Sequence, residues 1–228
     1  MSVLVVSGTG TGIGKTIVTA ALAAVWRAAG RNVSVVKPAQ TGASTGDEPD
    51  LDVVGRLSGV TDLHELARFA APLSPEAAAR VSGREPLDLS SAAGYIKDLA
   101  DRSVLVEGAG GLLVRYDPSG TTIADLAAIL DAPVLLVTAA GLGTLNHTAA
   151  TLEALRTRGL RCAGVVIGSW PREPGLAERE NLTDLRVVTG GPLAGMLPEG
   201  AGALPPERFA EVARAGLAPG FGGTFSGG

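Results

Sequence analysis

A single cysteine, few aromatic residues and the lack of any long apolar run set the first limits on this chain of 228 residues. Cys162 alone cannot build a disulfide framework, and its place in the apolar run CAGVVIG predicts a buried, unreactive thiol. No apolar stretch approaches the roughly 20 residues that cross a bilayer, and the chain begins without the basic segment of a signal peptide. No block of Lys and Arg offers a footprint for nucleic acid or an anionic membrane. We therefore expect a cytoplasmic protein with neither nucleic acid nor membrane as a partner.

The chain does contain a regular alternation of short apolar runs and longer helical patterns. It is 46% hydrophobic and only 4% aromatic, so small aliphatic residues dominate, which suits helices packed closely on a sheet. The apolar runs are continuous, as in strands buried on both faces. This alternation predicts an α/β fold with a parallel β-sheet flanked by helices. The predicted strands are residues 2–7, 32–38, 103–108, 132–138, 162–168 and 192–197, and the predicted helices lie near 15–29, 50–58, 74–81, 90–101, 121–130, 144–158, 175–188 and 206–216.

Two stretches depart from this alternation. Residues 40–100 contain no convincing strand and carry the turn signals STGDEP and APLSPE. We interpret them as an insertion of helices and loops at the carboxyl edge of the sheet, where ligands bind in such folds. The last residues, PGFGGTFSGG, are rich in Gly and Ser. We expect one domain over residues 1–217 and a disordered tail over residues 218–228.

The first predicted strand runs into GTGTGIGKT, residues 8–16, and a helical segment follows. This order is the context that a P-loop requires, because glycines let backbone N–H groups face a phosphate and the helix N-terminus adds partial positive charge. Lys15 can reach the β- and γ-phosphates, and the Thr16 hydroxyl can bind Mg²⁺. The loop is one residue longer than the common form, with Thr9 at the usual place of its first glycine. A dinucleotide motif fails because Ile13 replaces the third glycine. We predict a P-loop NTPase-like single domain that binds a nucleoside triphosphate and Mg²⁺.

Two charged residues end predicted strands at the edge where this loop lies. Lys37 ends the second run and could hold anionic oxygens beside Lys15, with a solvated strand-end lysine as an equal alternative. Glu107 ends the run SVLVE and precedes GAGG. An acid in that place commonly holds the Mg²⁺ of a P-loop site, and the alternative is a capping or surface acid.

Two further segments carry less specific signals. One acid of the loop STGDEPDLDVV could complete the metal shell, while the others favour a helix start: Asp47, Glu48, Asp50 and Asp52. The segment GLGTLNHT, residues 141–148, opens a helix whose N–H groups could bind a carboxylate, or could simply be capped by Thr144 or Asn146. His64 and His147 have no Cys, His or Ser partner pattern, so we interpret neither as catalytic.

Taken together, these segments resemble the dethiobiotin synthetase family. The matching segments are GTGTGIGKT (8–16), KPAQTG (37–42), the Asp50 region, VEGAGGLLV (106–114), GLGTLNHT (141–148) and VVIGSWP (165–171). They follow the family's order over roughly residues 1–200, and the long P-loop is the family's own form. The resemblance implies an ATP- and Mg²⁺-dependent ligase of biotin biosynthesis. One amine of 7,8-diaminononanoate takes up CO2 as a carbamate, the carbamate attacks the γ-phosphate of ATP, and the second amine closes the ring of dethiobiotin.

The resemblance also implies roles for individual residues. Catalysis would involve Lys15, Lys37 and Thr11, and Mg²⁺ would be held by Thr16, Asp50 and Glu107. The nucleotide would be bound by Gly12, Ile13, Gly14, Lys15, Thr16, Ile17, Asp50, Glu107, Gly108, Ala109, Gly110, Gly168, Ser169, Leu197, Pro198 and Glu199. The substrate would be bound by Thr41 and, from the second subunit of a homodimer, by Gly143, Thr144, Leu145 and Asn146.

The match departs from the family on the side of the nucleotide base. Many members carry an asparagine near the end of the VVIG strand that reads the adenine edge. Here Gly168 or Ser169 occupies that place and Trp170 follows. A strict preference for ATP over other nucleoside triphosphates is therefore not predicted.

Two other classes share parts of this pattern. A partition- or positioning-type switch ATPase has the same kind of sheet and a variant P-loop, but its loop carries an early lysine where Gly10 stands here. The amidotransferases of corrinoid synthesis share the N-terminal half and add a glutaminase domain with a catalytic cysteine. A chain of 228 residues, with Cys162 in a strand, leaves no room for that domain.

Overall fold

The computed structural model describes residues 2–42, 48–99 and 101–227, and the strands in these ranges form one parallel sheet. The strands are β1 Ser2–Gly8, β2 Val33–Gln40, β3 Leu63–Arg68, β4 Ser103–Glu107, β5 Val134–Thr138, β6 Cys162–Trp170 and β7 Gly195–Pro198. Their order across the sheet is β3-β2-β4-β1-β5-β6-β7. The predicted α/β class and the six predicted strands are confirmed. Because parallel strands end at one edge, the carboxyl ends of β1, β2 and β4 lie side by side.

Helices cover both faces of the sheet. They are α1 Lys15–Ala28, α2 Asp50–Ser58, α3 Pro75–Val81, α4 Leu89–Lys97, α5 Ile123–Ile129, α6 Thr144–Thr157, α7 Leu176–Thr189 and α8 Pro206–Gly216. On one face α1, α2 and α8 bury aliphatic side chains against the sheet; on the other, α3 to α6 enclose a second core that includes Tyr116. The helix α1 is buried along all of residues 18–26, because α2 and α8 cover the side that turns away from the sheet. None of the described helices is both long and apolar enough to span a bilayer.

The strand β3 corrects the prediction that residues 40–100 lack a strand. It lies at the edge of the sheet and pairs only with β2, with Val35 opposite Leu63. Its sequence LHELAR is mostly half-buried, because an edge strand has one neighbour and tolerates polar side chains. A search for continuous apolar runs misses such a strand.

The same region is also not an insertion confined to the carboxyl edge. The helix α2 contributes Leu51, Val54 and Leu57 to the core beside α1, and α4 contributes Leu89 and Ile96 to the opposite core. The Asp88 carboxylate caps α4 by accepting from the N–H groups of Ser90 and Ser91. These elements therefore complete both helical layers.

The C-terminal segment, for which the sequence predicts disorder, lies against the domain in the structure. Phe221 packs on the core that α1 and α8 share, and Phe225 packs on the core near α7. The N–H of Phe225 donates to the carbonyl of Leu217 at 2.9 Å, and the N–H of Thr224 donates to that of Arg214 at 2.7 Å. Two partly buried phenyl rings and these backbone bonds offset the flexibility that Gly and Ser favour.

Cys162 is exposed, so the prediction of a buried thiol is wrong. It is the first residue of β6, and full burial of that strand begins only at Val165. The apolar residues that follow it form the buried, interior part of the strand. The first residues of the strand are exposed or half-buried.

Candidate functional site

The carboxyl ends of β1, β2 and β4 surround a cavity of about 440 Å³. Its walls are the Gly-rich loop between β1 and α1, the last residues of β2 and β4, and the start of α2. The sequence positions these parts independently, each as the end of a buried strand or the first turn of a helix. The parallel sheet then brings them to one edge.

The Gly-rich loop has a backbone that only glycine adopts easily. Gly12 and Gly14 have φ angles of 72° and 93°, in the left-handed region that side chains disfavour. The loop also lies tightly against the end of β6: a Cβ atom at Gly14 would lie 2.5 Å from the carbonyl oxygen of Gly168. Conversely, a Cβ atom at Gly168 would lie 2.0 Å from the carbonyl oxygen of Ile13. The loop geometry therefore depends on glycine at these three positions.

A network of charged and hydroxyl groups lies at the floor of the cavity. The Lys37 ammonium lies 2.5 Å from Asp50 Oδ2 and 2.8 Å from Glu107 Oε1, and it donates to the Gly108 carbonyl at 3.3 Å. The Thr16 hydroxyl lies 2.9 Å from Asp50 Oδ1 and 3.0 Å from Glu107 Oε1. Lys37 is 3% exposed and Glu107 0%. Lys37 and Thr16, which come from separate segments, thus share the carboxylates of Asp50 and Glu107.

The two lysines of the cavity differ in their electrostatic surroundings. Burial, followed by the charge of Lys37, lowers the pKa of Lys15 to about 8, and its ammonium donates to the Gly10 carbonyl at 2.7 Å. Burial also acts to lower the pKa of Lys37, but Glu107 and Asp50 outweigh it, so this pKa is raised above the usual lysine value. The pKa of Asp50 is lowered, because Lys37 outweighs the opposing effect of burial. Lys37 is therefore a fixed charge, while Lys15 is the more easily neutralised amine.

The oxygen atoms of this network fit a magnesium ion. Magnesium prefers oxygen ligands and usually takes one or two carboxylates, with water and substrate phosphates completing its shell. Thr16, Asp50 and Glu107 supply a hydroxyl and two carboxylates close together. The second oxygen of Glu107, Oε2, is buried and has no hydrogen-bond partner among the described residues. The described residues contain no group of three or more His, Cys, Asp and Glu side chains that could hold a metal, so a site of this composition depends on ligands from phosphate and water.

Among the loop acids that the structure describes, Asp50 is the one that reaches the network. Its N–H donates to Gln40 Oε1 at 3.3 Å, which ties the start of α2 to the end of β2. Glu48 lines the rim of the cavity and pairs with Arg56, and Asp52 is exposed on the first turn of α2. Asp47 lies outside the described residues.

A second cavity of about 360 Å³ adjoins the first. Thr11 and Thr41 line both cavities, and the wall of the second is mainly apolar, with Pro72, Leu73 and Val114. The two threonine hydroxyls therefore lie at the junction between a charged and an apolar compartment. This arrangement suits a molecule with a polar reacting end and an aliphatic chain.

The segment predicted at the start of α6 does not line either cavity of its own chain. The Thr144 hydroxyl points inward, donating to the Ala139 carbonyl at 2.6 Å and lying 2.7 Å from Thr138 Oγ1. In contrast, Gly143 and Asn146 are exposed, and Leu145 is half-buried. Thr144 thus anchors the start of the helix, while Gly143 and Asn146 remain exposed.

The predicted base-side residues lie apart from the described lining of the first cavity. Gly168 supports the Gly-rich loop, Ser169 is exposed, and Leu197 is fully buried in the core. Pro198 is the last residue of β7 and is exposed. The Glu199 N–H donates to the Trp170 carbonyl at 2.7 Å, and this joins the ends of β6 and β7.

Two residues that support the site were not assigned a role from the sequence. Gln40 appears in the motif KPAQTG, yet its contact with Asp50 depends on where residue 50 folds back. Tyr116 is fully buried, and its hydroxyl accepts from the N–H of Ala109 at 2.9 Å. It thereby fixes the GAGG segment after Glu107 from within the same connection between β4 and α5, seven residues further along the chain.

Known proteins resemble this chain along nearly its full length. Residues 2–206 match the family described as AAA domain. The chain is 60% identical over 227 residues to ATP-dependent dethiobiotin synthetase BioD of Frankia casuarinae, covering 99% of this chain and 95% of that protein. It is 57% identical over 229 residues to the protein of the same name from Saccharopolyspora erythraea, covering 99% and 100%.

Solved structures extend the comparison to the fold. A ParA family ATPase from Chlorobium tepidum superposes with a TM-score of 0.55 at 13% identity, covering 97% of this chain and 95% of that chain. The septum site-determining protein MinD from Pyrococcus horikoshii, complexed with Mg-ADP, gives 0.54 at 18% identity, covering 93% and 92%. At such identities the likeness shows a common fold and nothing more specific.

Proposed function

Because this chain belongs to the dethiobiotin synthetase family, it is an ATP-using cyclo-ligase of biotin biosynthesis, and we propose the part that each group of residues plays in that reaction. An amine nitrogen of 7,8-diaminononanoate attacks CO2 and loses a proton, giving a carbamate. A carbamate oxygen bonds to the γ-phosphorus as the bond to the ADP oxygen breaks. The second amine attacks the carbamate carbon, and phosphate and a proton leave as dethiobiotin forms.

The single observation that carries the proposal is the meeting of two compartments at Thr11 and Thr41. The cavity with Lys15 and Lys37 suits phosphate and carbamate oxygens, and the apolar cavity suits the aliphatic chain of the diamine. The reacting nitrogen would then lie at the junction, within reach of both threonine hydroxyls.

The Gly-rich loop and Lys15 would bind the phosphates. Residues 12–17 form the end of the loop and the first turn of α1. Backbone N–H groups in such a place favour an anion. Lys15 and Lys37 would stabilise charge that develops on the transferred phosphoryl group. Burial and the neighbouring charge of Lys37 lower the pKa of Lys15. The same two effects would favour the neutral, nucleophilic form of a substrate amine placed beside it.

Thr16, Asp50 and Glu107 would hold Mg²⁺. When bound, the ion would neutralise phosphate charge and fix the β- and γ-phosphates for in-line transfer. Gln40 would keep Asp50 in place through its N–H. Lys37 would keep Asp50 ionised, because a neighbouring cation favours the charged form of an acid and lowers its pKa.

The substrate carboxylate would be bound by a second copy of this chain. Gly143 and Asn146 are exposed at the start of α6, while the Leu145 side chain packs against the core and its place in the first turn leaves a backbone N–H group that favours an anion. Leu142 beside them is 89% exposed, and a groove of about 290 Å³ lies between α6 and the segment Gly111–Val114. We expect a cytoplasmic homodimer in which each subunit completes the other's site.

The decisive experiment measures phosphate release from MgATP and bicarbonate, with and without 7,8-diaminononanoate. Release that requires the diamine and yields dethiobiotin by mass spectrometry supports the proposal. Repeating it with GTP and CTP tests the base preference. Release that ignores the diamine, and instead responds to a protein, DNA or lipid surface, would favour a switch ATPase.

A further inference from the structure

Arg56, on the last turn of α2, forms a forked ion pair across the rim of the nucleotide cavity. Its Nε donates to Glu48 Oε1 at 2.9 Å and its Nη2 donates to Glu48 Oε2 at 2.7 Å. Its Nη1 donates to the Gly202 carbonyl at 3.3 Å. One guanidinium therefore joins the loop before α2 to the turn Ala201–Ala203 that precedes α8.

One partner of Arg56 lines the cavity, and the other packs against a lining residue. Glu48 lines the cavity two residues before Asp50, so the fork fixes the chain that leads into the proposed metal ligand. Gly202 packs on Ile17 of the first helix, since a Cβ atom at position 202 would lie 2.8 Å from Ile17 Cδ1. Ile17 itself lines the cavity. Arg56 thus links one wall residue to a turn that supports another.

The charge of Glu48 makes this contact matter for an anionic ligand. Without a cation beside it, the carboxylate would stand at the rim of a cavity built for phosphates and would repel them. Arg56 holds both carboxylate oxygens in one fork, a geometry that gives orientation as well as charge.

The ion pair on α8 is purely local. Arg208 and Glu211 pair three residues apart at 2.6 Å. Such local exposed pairs add little to stability. The Arg56 side chain instead combines its fork to Glu48 with a bond to the Gly202 carbonyl, 146 positions away in the sequence.

We propose that Arg56 is a positioning residue, which holds Glu48 at the rim and the Ala201–Ala203 turn against Ile17, so that the nucleotide meets a pre-formed site. The inference rests on the proposed nucleotide site. It does not depend on which acceptor finally receives the phosphoryl group.

The test is the affinity for MgADP by isothermal titration calorimetry, with no diamine present. We expect Arg56→Ala to raise the dissociation constant about fivefold or more, the effect of losing roughly one well-placed hydrogen bond. Arg56→Lys should remain close to Arg56→Ala, since a single ammonium cannot form the fork. Removing the unpaired acid in the Glu48→Ala/Arg56→Ala double variant should recover part of the affinity. Arg208→Ala is the matched control and should bind MgADP as the unaltered protein does.

Kinetics separate positioning from general damage. In the full reaction, Arg56→Ala should raise KM for ATP by a similar factor and leave kcat within about twofold, since the residue touches no reacting atom. Glu48→Gln tests the fork from the other side if Arg56→Ala folds poorly, and it should weaken MgADP binding in the same direction.

Three results would overturn the proposal. Arg56→Ala could match Arg208→Ala in affinity, Arg56→Lys could match the unaltered protein, or kcat could fall with KM unchanged. A failure of the unaltered protein to bind MgADP would instead count against the proposed nucleotide site itself, so the two failures are distinguishable.

Discussion

The ammonium of Lys37 lies 2.8 Å from the carboxylate of Glu107, and both side chains are almost completely withdrawn from solvent. A buried ion pair is retained only when each partner satisfies the other, because either charge alone is expensive to bury. Here the same carboxylate also lies 3.0 Å from the Thr16 hydroxyl. Lys37 and a magnesium ion would therefore draw on the same oxygen atoms.

The first prediction concerns the role of Lys37 in turnover. Lys37→Ala should lower kcat by about a hundredfold or more, since it removes a cation from the reacting oxygens, while MgADP binding should stay within about threefold. End-point assays of released phosphate and of dethiobiotin measure kcat, and titration calorimetry measures the affinity for MgADP. Lys97→Ala, at an exposed position on α4, is the control. Unchanged steady-state activity would remove Lys37 from the mechanism.

The shared carboxylates lead to a second prediction, on metal affinity. Lys37→Met should bind Mg²⁺ roughly tenfold more tightly in the absence of nucleotide, because a competing cation beside the ligands has gone. Titration calorimetry, or displacement of Mn²⁺ followed by electron paramagnetic resonance, gives the dissociation constant. Lys15→Met should change it less, since Lys15 donates to the Gly10 carbonyl and not to either acid. Equal tightening in both variants would point to long-range repulsion rather than shared ligands.

Glu107 carries a third prediction, because its removal affects metal and lysine together. Glu107→Ala should weaken the Mg²⁺ dependence of turnover and lower the free energy of unfolding by about 3 kcal/mol, as Lys37 loses a buried partner. Urea unfolding and a metal titration measure these effects. Glu211→Ala, which removes an exposed acid on α8, should change unfolding by less than about 1 kcal/mol. A metal titration that does not move would support a purely structural Glu107.

The positions of two candidate residues could be predicted from buried strands. Glu107 is the last residue of β4, and Lys37 lies three residues before the end of β2, which continues beyond the predicted strand 32–38 to Gln40. Both therefore lie near the carboxyl edge of the parallel sheet. Strand β3 was not predicted, because its polar residues are typical of an edge strand. Its edge position can be recognised only once its pairing with β2 is known. The choice of Asp50 among four acids also needed the structure, since it depends on the turn that brings α2 to β2.

Other contacts depend on packing between distant segments. The pairing of Arg56 with Glu48 joins residues eight apart, and its bond to Gly202 spans 146 positions. The inward-facing hydroxyl of Thr144 could not be told from an outward one by spacing alone. Local patterns predicted which segments matter, and tertiary packing decided which side chains meet.

The fourth prediction follows from the contact between the Gly-rich loop and the end of β6. A Cβ atom at Gly168 would lie 2.0 Å from the Ile13 carbonyl and 2.7 Å from Val137 Cγ1, so Gly168→Ala must displace the loop. Overpacking of this kind typically costs about 1–3 kcal/mol, and we expect MgADP affinity to fall about tenfold. Arg208→Ala, which removes an exposed side chain on α8, should leave MgADP affinity unchanged. Equal affinity in Gly168→Ala would show that the loop adjusts freely.

The last prediction tests whether two subunits share each site. Asn146→Asp places a negative charge at the exposed start of α6, where it should repel the substrate carboxylate and raise KM for the diamine about tenfold or more. Lys37→Ala removes the lysine that acts on the phosphoryl group, so a site with this substitution is inactive. In a mixed dimer, one site would combine the intact Lys37 of one subunit with the intact Asn146 of the other. Random exchange makes half the dimers mixed, so assays at low diamine should recover about a quarter of normal activity. Light scattering before and after mixing confirms the dimer, and Lys37→Ala mixed with itself is the control. Activity that stays at the sum of the two separate variants would mean that each subunit works alone.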